Sequence, residues 1–181
     1  MSHSSLVVVA HPCLVNSRVN RAWMQALRLT DATVHDLYAA YPDEKVDVRA
    51  EQRLLARHRR VILQFPLQWY SGPPLLKKWL DLVLEHGWAY GGVASALEGR
   101  QLGIAVSAWS READYRKDGR YRRTLEELTS PFEVTAFRLG MTYLPGFFLA
   151  GVCEVDEQAL EVSARDYAAH VVGSNGHGAA R

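Results

Sequence analysis

Close to its amino terminus the chain runs Leu6-Val7-Val8-Val9-Ala10-His11-Pro12, five apolar residues followed by a turn. A continuous, β-branched run of this kind is typical of a strand that is buried on both faces of a parallel sheet. Ser17 suits the N-cap position of a helix that we expect from Arg18 to about Leu29. The beginning of the chain therefore predicts a strand, a turn and a helix in that order.

The rest of the chain repeats this alternation of strands and helices. We predict further strands at 33–38, 61–65, 102–107 and 142–149, and further helices at 47–58, 74–87, 124–139 and 156–172. Such an alternation is typical of βαβ units and hence of a parallel sheet. Because the turns carry no GxGxxG, we predict a flavodoxin-like α/β three-layer sandwich, with a five-stranded parallel sheet in the order 2-1-3-4-5.

The composition narrows the possible classes of protein. The chain has 181 residues, 48% of them hydrophobic and 23% charged, which predicts one domain over 1–172, and we expect a disordered tail at 173–181. Its formal net charge of +1 argues against a nucleic-acid partner. The two cysteines, Cys13 and Cys153, fit a reducing cytosol rather than a disulfide scaffold. With no run of membrane-spanning length, no HExxH and no CxxC, we predict a soluble protein without a metal site.

Three loops mark the place where a ligand is expected. In an open α/β sheet, ligands bind beyond the carboxyl ends of the strands, close to the switch point between the first and third strands. The loops that meet there span residues 11–20, 66–73 and 107–120, and they contain the unusual residues of the chain. This coincidence predicts a single ligand site.

The first of these loops is suited to an anion. It ends at a helix N-terminus, where free N–H groups and the positive end of the helix dipole attract negative charge. Ser17, Asn20 and His11 can add side-chain hydrogen bonds to a phosphate. Ser17 as a simple cap and His11 as a simple loop residue are the alternatives, and we favour phosphate binding. Arg18 can assist or can merely be solvated, and we interpret the neighbouring Cys13 as incidental.

The second loop is suited to a flat ring. Gln68, Trp69 and Tyr70 follow a buried strand, and prolines flank them. A stiff backbone that presents N–H groups beside large ring surfaces is what a flat heteroaromatic ligand needs. The alternative is that Trp69 and Tyr70 pack in the core or at a dimer interface, although two adjacent aromatic residues cannot easily both point inward.

Three segments resemble a known family. They are Val9-Ala10-His11-Pro12 with Ser17 and Asn20, then Gln68-Trp69-Tyr70-Ser71 with Pro73-Pro74-Leu75-Leu76-Lys77, then Trp79, Asp81 and His86-Gly87-Trp88-Ala89-Tyr90-Gly91. With these segments the chain resembles the FMN-dependent NAD(P)H:quinone oxidoreductase family, and within it most of all the ancillary oxidoreductases of glutathione-regulated potassium-efflux systems. The resemblance covers almost the whole chain, and its QWYS-x-PPLLK and HGWAYG segments are specific.

The resemblance implies FMN as the cofactor, NAD(P)H as co-substrate and a set of binding residues. The phosphate and ribityl chain would lie against His11, Ser17, Arg18, Val19 and Asn20. The isoalloxazine ring would lie between two further groups, which are Leu67, Gln68, Trp69 and Tyr70 on one side and Ser107, Ala108, Trp109 and Ser110 on the other. The resemblance also implies a homodimer with active sites at its interface, to which residues 88–90 and 143–148 could contribute.

The sequence departs from the family pattern after the fourth strand. The potassium-efflux relatives have a glycine-rich turn there, whereas this chain has Ser107-Ala108-Trp109-Ser110-Arg111. Because glycine lets a backbone approach a ligand closely, Trp109 either forms a new wall over the flavin or weakens flavin binding. The basic segment that follows, Arg111 to Arg123, can act as a lid that favours the phosphates of NAD(P)H or can be an ordinary solvated loop.

The function that follows is ping-pong hydride transfer from NAD(P)H through FMN to a quinone or a similar electrophilic acceptor. The flavin carries the chemistry, so no catalytic side chain is required. Tyr70, Trp109 and Tyr115 are the candidates for substrate contact. The alternative is a regulatory ancillary subunit that binds and activates a glutathione-gated potassium-efflux transporter, with weak or no turnover. A cytoplasmic location, with peripheral attachment to the cytoplasmic face of the inner membrane as an option, suits both functions.

Overall fold

A six-stranded parallel sheet runs through the middle of the computed structural model, which describes residues 5–92 and 95–173. The strands are β1 Ser5–Val9, β2 Thr33–Asp36, β3 Arg60–Pro66, β4 Gln101–Ser107, β5 Thr142–Tyr143 and β6 Phe147–Leu149. The helices are α1 Arg18–Leu27, α2 Leu37–Ala40, α3 Val48–Ala56, α4 Pro74–Val83, α5 Leu125–Arg138 and α6 Glu157–Val172. Short 3₁₀ turns lie at Leu14–Asn16 and Glu112–Tyr115.

The order of the sheet is the predicted one. It runs β2-β1-β3-β4, and β5 and β6 both pair with β4. In the centre, Val7 of β1 pairs with Val34 of β2 on one side and with Ile62 of β3 on the other. The flavodoxin-like prediction is therefore confirmed, and every strand points its carboxyl end to the same edge.

Two of the predicted strands are wrong in extent. The single strand expected at 142–149 is two strands, because Pro145 has no N–H for the ladder and interrupts it between β5 and β6. The strand expected at 33–38 ends at Asp36, whose carboxylate accepts hydrogen bonds from the amides of Tyr38 and Ala39 and so begins α2. A side-chain cap of this kind competes with continued strand pairing.

The helices begin where the capping signals predict. Ser17, Asp47 and Asp156 each accept a backbone hydrogen bond at a helix start, and Thr124 forms a capping box with Glu127. The predicted helix ends are too late for α1, α3 and α4, which leave helical geometry before the residues that the apolar pattern suggested. Within the described residues, no helix combines the length and apolar character that crossing a membrane requires.

The core lies in two layers, one on each face of the sheet. Because side chains alternate along a strand, Leu6 and Val8 of β1 face one layer while Val7 and Val9 face the other. The first layer packs against α3, α4 and α5, and the second packs against α1 and α6. This arrangement is the predicted three-layer sandwich, and it leaves the carboxyl edge of the sheet open.

A buried carboxylate joins the elements of the first layer. Glu51 accepts hydrogen bonds from Tyr41 Oη (2.6 Å) and Trp79 Nε1 (2.8 Å). His35 Nε2 lies 2.9 Å from the same carboxylate. Burial alone would raise the pKa of Glu51, but the hydrogen bonds from these side chains outweigh it and hold the pKa below its ordinary value.

Candidate functional site

A cleft lies at the carboxyl edge of the sheet, between the loops that follow β1, β3, β4 and β6. Its cavity volume is about 520 Å³, which is enough for a ligand of cofactor size. The residues that line it are His11, Cys13, Asn16, Ser17, Arg18, Val19, Pro66, Leu67, Gln68, Ser107, Trp109, Val152 and Cys153. All three predicted loops therefore contribute to one cleft.

Some of the predicted site residues do not line this cleft. They are Asn20, Trp69, Tyr70, Ala108, Ser110 and Tyr115. Asn20, Ala108 and Tyr115 are buried, Ser110 is half-buried, and Trp69 and Tyr70 are exposed.

The N-terminus of α1 forms one end of the cleft. Ser17 is its N-cap, and Ser17 Oγ accepts a hydrogen bond from the amide of Asn20 (3.2 Å). The amides of Arg18 and Val19 belong to the first turn, which has no partners within the helix. Free amides at the positive end of a ten-residue helix make this end of the cleft suitable for an anion.

The ring of His11, which lines the cleft, is held in one tautomer. His11 Nδ1 accepts a hydrogen bond from the amide of Cys13 (3.1 Å), so in the neutral ring the proton is on Nε2. Burial lowers the pKa of His11, and the charge of Asp36 offsets only part of the effect. A neutral imidazole with a free Nε2–H is therefore available to a ligand oxygen at neutral pH.

Arg18 lines the cleft, but its guanidinium is bound to residues at the start of α6. The guanidinium donates to the carbonyl of Val155 (3.0 Å) and to the carboxylate of Glu157 (2.8 Å). These contacts join the start of α1 to the start of α6 and fix one wall of the cleft. The role as a phosphate ligand stays a prediction for Arg18, and the structure shows it as a clamp between two helices.

A chain of buried hydrogen bonds supports the cleft from below. Asn20, which is 1% exposed, donates from Nδ2 to Ser17 Oγ (3.0 Å) and Ser107 Oγ (2.9 Å). Gln64 Nε2 donates to Asn20 Oδ1 (3.1 Å), and Tyr167 Oη donates to Gln64 Oε1 (2.9 Å). Because the polar atoms of the Asn20 amide are engaged by protein groups, its side chain positions the two serines instead of facing a ligand.

A tight turn that begins at Gln68, which lines the cleft, exposes two aromatic residues. Gln68 and Ser71 exchange two backbone hydrogen bonds (2.8 and 2.9 Å), and the central residues have positive φ, 46° for Trp69 and 64° for Tyr70. Turns with two positive φ values favour Asn and Gly, and holding a larger residue there costs of order 1 kcal/mol or more. Trp69 is 93% exposed and Tyr70 43%, so neither is core, which confirms that the two rings do not both point inward.

Tyr70 of this turn packs in a row with two further tyrosine rings. Tyr121 lies between Tyr70 (ring centroids 5.3 Å apart) and Tyr115 (5.0 Å). The hydroxyls of Tyr121 and Ser110 are 2.7 Å apart and share a hydrogen bond. Tyr115 is buried in this packing and burial raises its pKa, so the structure gives it a supporting position, whereas Tyr70 is exposed.

Trp109 stands at the wall of the cleft. The amide of the preceding Ala108 donates to the carbonyl of Leu149 (2.8 Å), so Ala108 is buried and continues the pairing of β4 with β6. The indole of Trp109 is 71% exposed and lines the cleft. Of the two expected outcomes, this position fits a new wall, and the tightness of flavin binding stays untested.

Sequence reasoning missed the loop that follows β6. Val152 and Cys153 of this loop line the cleft, and the amide of Val152 donates to the carbonyl of Ala108 (3.2 Å). The signal was available, since this loop also leaves the carboxyl end of a strand. It was overlooked because the loop lacks the aromatic and polar residues that marked the other three.

The basic segment lies in solvent beside the aromatic rings. Arg111 Nε donates to both carboxylate oxygens of Glu154 (2.8 and 2.9 Å). The guanidinium of Arg120 lies 5.7 Å from the ring centroid of Tyr121. The contact with Glu154 ties the start of the segment to the loop after β6, whereas the Arg120–Tyr121 contact is internal to the segment. They are compatible with the lid and with the solvated loop.

Comparison with known proteins agrees with this architecture. Residues 3–171 match the family described as having a flavodoxin-like fold, and the chain belongs to that family. It is 47% identical over 161 residues to the uncharacterized NAD(P)H oxidoreductase YrkL of Bacillus subtilis, a match that covers 88% of this chain and 92% of YrkL.

Two further similarities bear on the predicted resemblance. The glutathione-regulated potassium-efflux system ancillary protein KefF of Citrobacter koseri is 40% identical over 163 residues, which cover 90% of this chain and 92% of KefF. The crystal structure of general stress protein 14 from Treponema denticola, in complex with FMN, superposes with a TM-score of 0.90 at 44% identity and covers 95% of this chain and 99% of that chain. These findings confirm the family resemblance that the QWYS and HGWAYG segments indicated.

Proposed function

We propose that this protein is an FMN-dependent NAD(P)H oxidoreductase whose acceptor is a quinone or a similar flat electrophile. The observation that carries the proposal is the meeting, in one cleft, of the α1 N-terminus with the apolar walls at Leu67 and Trp109. The similarity to an NAD(P)H oxidoreductase and to an FMN-bound structure supports it.

The residues of the cleft fit FMN. At one end, the first-turn amides of α1, the hydroxyl of Ser17 and the Nε2–H of His11 suit a phosphate dianion. Farther along, Leu67 and Trp109 offer apolar surface to a flat ring, and Gln68 adds a polar amide. The length of the cleft thus combines an anion site and a ring site, which are the two requirements of a flavin mononucleotide.

The chain's own residues would contribute positioning and electrostatics. When bound, the flavin supplies the two-electron hydride chemistry. Leu67 and Trp109 would exclude water from the ring, and the buried hydrogen bonds of Asn20 would hold Ser17 and Ser107 in register with it. The amides of Trp69 and Tyr70 take no part in the paired hydrogen bonds of their turn, and fixed donors of this kind stabilise developing negative charge.

The acceptor would dock against the exposed rings of the turn. Trp69 and Tyr70 present exposed aromatic surface directly after Gln68 of the cleft, and a planar quinone can stack on such a surface. NAD(P)H and the quinone would use the same open side in turn, which is the physical basis of the proposed ping-pong cycle.

A second candidate function is regulatory. The similarity to KefF favours an ancillary subunit of a potassium-efflux transporter, with weak or no turnover. In that case the protein would act from the cytoplasm, on the cytoplasmic face of the inner membrane.

The homodimer also remains a proposal. Phe147 packs against Trp23 (ring centroids 5.3 Å apart) and Ala89 is buried, so parts of the segments expected at the interface belong to the chain's own core. Val134 and Phe137 of α5 are each 64% exposed and so offer apolar surface. Val134 lines a surface groove together with Tyr90, which belongs to one of the expected interface segments. We propose that α5 contributes to the dimer surface.

A visible spectrum and an oxidation assay separate the two functions. We expect protein incubated with FMN and desalted to keep a flavin spectrum and to oxidise NAD(P)H with menadione. The Leu67→Arg variant should lose both properties, and the Glu161→Gln variant, on the exposed face of α6, should keep both. Colourless protein that rejects FMN and still binds a purified potassium-efflux transporter would favour the regulatory subunit.

A further inference from the structure

The only two cysteines of the chain come together at the cleft. Cys13 lies in the loop after β1 and Cys153 in the loop after β6, and both thiols are free and exposed. Both also line the cleft described above. A small molecule that enters this space therefore meets two nucleophilic side chains.

Cys13 has a hydrogen-bond donor directed at its sulfur. Asn16 Nδ2 lies 3.0 Å from Cys13 Sγ and donates to it. The amide of Cys13 is fixed at the same time by its bond to His11 Nδ1 (3.1 Å). Because the thiolate is the reactive form of cysteine, a donor placed on the sulfur supports nucleophilic attack from this position.

Cys153 lies beside the aromatic wall. Its thiol donates a hydrogen bond to the carbonyl oxygen of Trp109 (3.5 Å), whose indole is exposed and lines the cleft. The adjacent Glu154 forms an ion pair with Arg111 of the segment after β4, which holds the two loops together beside this thiol. A planar molecule that stacks on Trp109 would therefore lie next to this thiol.

We propose that the cleft is a site of covalent thiol modification, in which Cys13 and Cys153 add to planar Michael acceptors of the unsubstituted quinone class. The choice of quinone rests on the proposed function, whereas the position of the thiols does not. In each addition the sulfur electron pair forms a bond to a ring carbon and the pair of the attacked C=C bond moves toward a ring oxygen. The thiol proton and the displaced ring proton end on the two oxygens, giving a hydroquinone thioether, so no other oxidant or reductant is needed.

The consequence is that covalent modification would inactivate the cleft. An adduct on either cysteine would occupy space that the cofactor or the acceptor needs. An adduct that forms while the cleft is free of FMN would therefore prevent the cofactor from binding afterwards.

The test measures adduct formation with 1,4-naphthoquinone by intact-protein mass spectrometry. The wild type should gain two adducts, Cys13→Ser and Cys153→Ser one each, and the double variant none. A matched control is Glu161→Cys in the double variant, which presents one exposed thiol on α6 far from the cleft. Labelling rates of Cys13 and Cys153 should saturate with quinone concentration, because a complex precedes the bond, and the control rate should stay linear.

Competition with FMN adds a second readout. Saturating FMN should slow labelling of the cleft thiols by about tenfold or more, since only the unoccupied fraction reacts, and should leave the control unchanged. Linear rates that match the control at both cysteines would overturn the inference. If FMN does not bind, the proposed function fails, and the concentration dependence alone still decides the thiol site.

Discussion

The side-chain amide of Asn20 donates a hydrogen bond to Ser107 Oγ over 2.9 Å, and so joins the first turn of α1 to the end of β4. The same amide nitrogen lies 3.0 Å from Ser17 Oγ. One buried side chain thus sets the distance between two loops that are remote in sequence. The shape of the cleft depends on this connection, because both serines line it.

We expect Asn20→Ala to damage both stability and the cleft. It leaves Gln64 without one of its acceptors in a buried environment, a loss of about 1–3 kcal/mol. Urea unfolding measures the stability and FMN titration measures the cleft. Gln25→Ala, on the exposed side of the same helix, is the matched control. Equal effects of the two substitutions would show that the buried connection is unimportant.

Relieving the positive φ values at Trp69 and Tyr70 should raise the stability of the protein and lower its activity. Replacing the pair by Asn and Gly removes two large residues from positive φ, which should raise the free energy of unfolding by about 1 kcal/mol or more. The same change should lower kcat/KM for menadione, because the aromatic surface is gone. Glu44→Gly is a control, since Glu44 also has a positive φ (56°) but lies outside the cleft. A double variant of the turn with unchanged or lower stability would contradict the assignment of strain.

Trp109→Gly decides between the two outcomes left open for this position. Since the indole lines the cleft, we expect its loss to weaken FMN binding by several-fold to about tenfold, as an aromatic contact contributes about 1 kcal/mol. Fluorescence quenching of FMN gives the dissociation constant. Tighter binding by the glycine variant would mean that the indole obstructs the flavin.

The sequence was sufficient for the architecture but not for the side-chain geometry of the site. Apolar runs such as Leu6–Ala10 identify strands whatever their neighbours do, and Ser17 announces a helix start through a local hydrogen bond. The direction of Asn20 depends on Gln64 and on residues that come together only in the fold. Local pattern therefore could not distinguish a ligand-facing amide from a buried one.

The structure also differs from the sequence-based expectation at Cys153 and at Trp69. The sequence did not place Cys153 in the cleft because its loop carries no conspicuous motif, although the strand before this loop ends at the same edge of the sheet. The positive φ of Trp69 runs against the ordinary preference of its residue type, so propensity alone predicts a different turn. Departures of this kind are expected where a site holds strain.

The buried carboxylate of Glu51 should make stability depend on pH. Its pKa in the folded protein is lowered from the ordinary 4.5, so the stabilisation is complete above that value and is lost as the pH falls through the lower folded pKa. Urea unfolding between about pH 6 and about pH 3 should show this loss in the wild type. Glu51→Gln should be less stable at the upper pH and lose less on acidification, and the exposed Glu161→Gln should follow the wild type. A parallel decline in all three proteins would exclude Glu51 as a source of the dependence.

A comparison of FMN with riboflavin shows whether the cleft holds a flat ring at one end and a phosphate at the other. The two ligands share the ring and differ only in the phosphate that the α1 N-terminus is positioned to bind. We expect one FMN per chain in a fluorescence titration, with riboflavin binding roughly tenfold to a hundredfold more weakly. Equal affinity for both ligands, or no binding of FMN, would contradict the account.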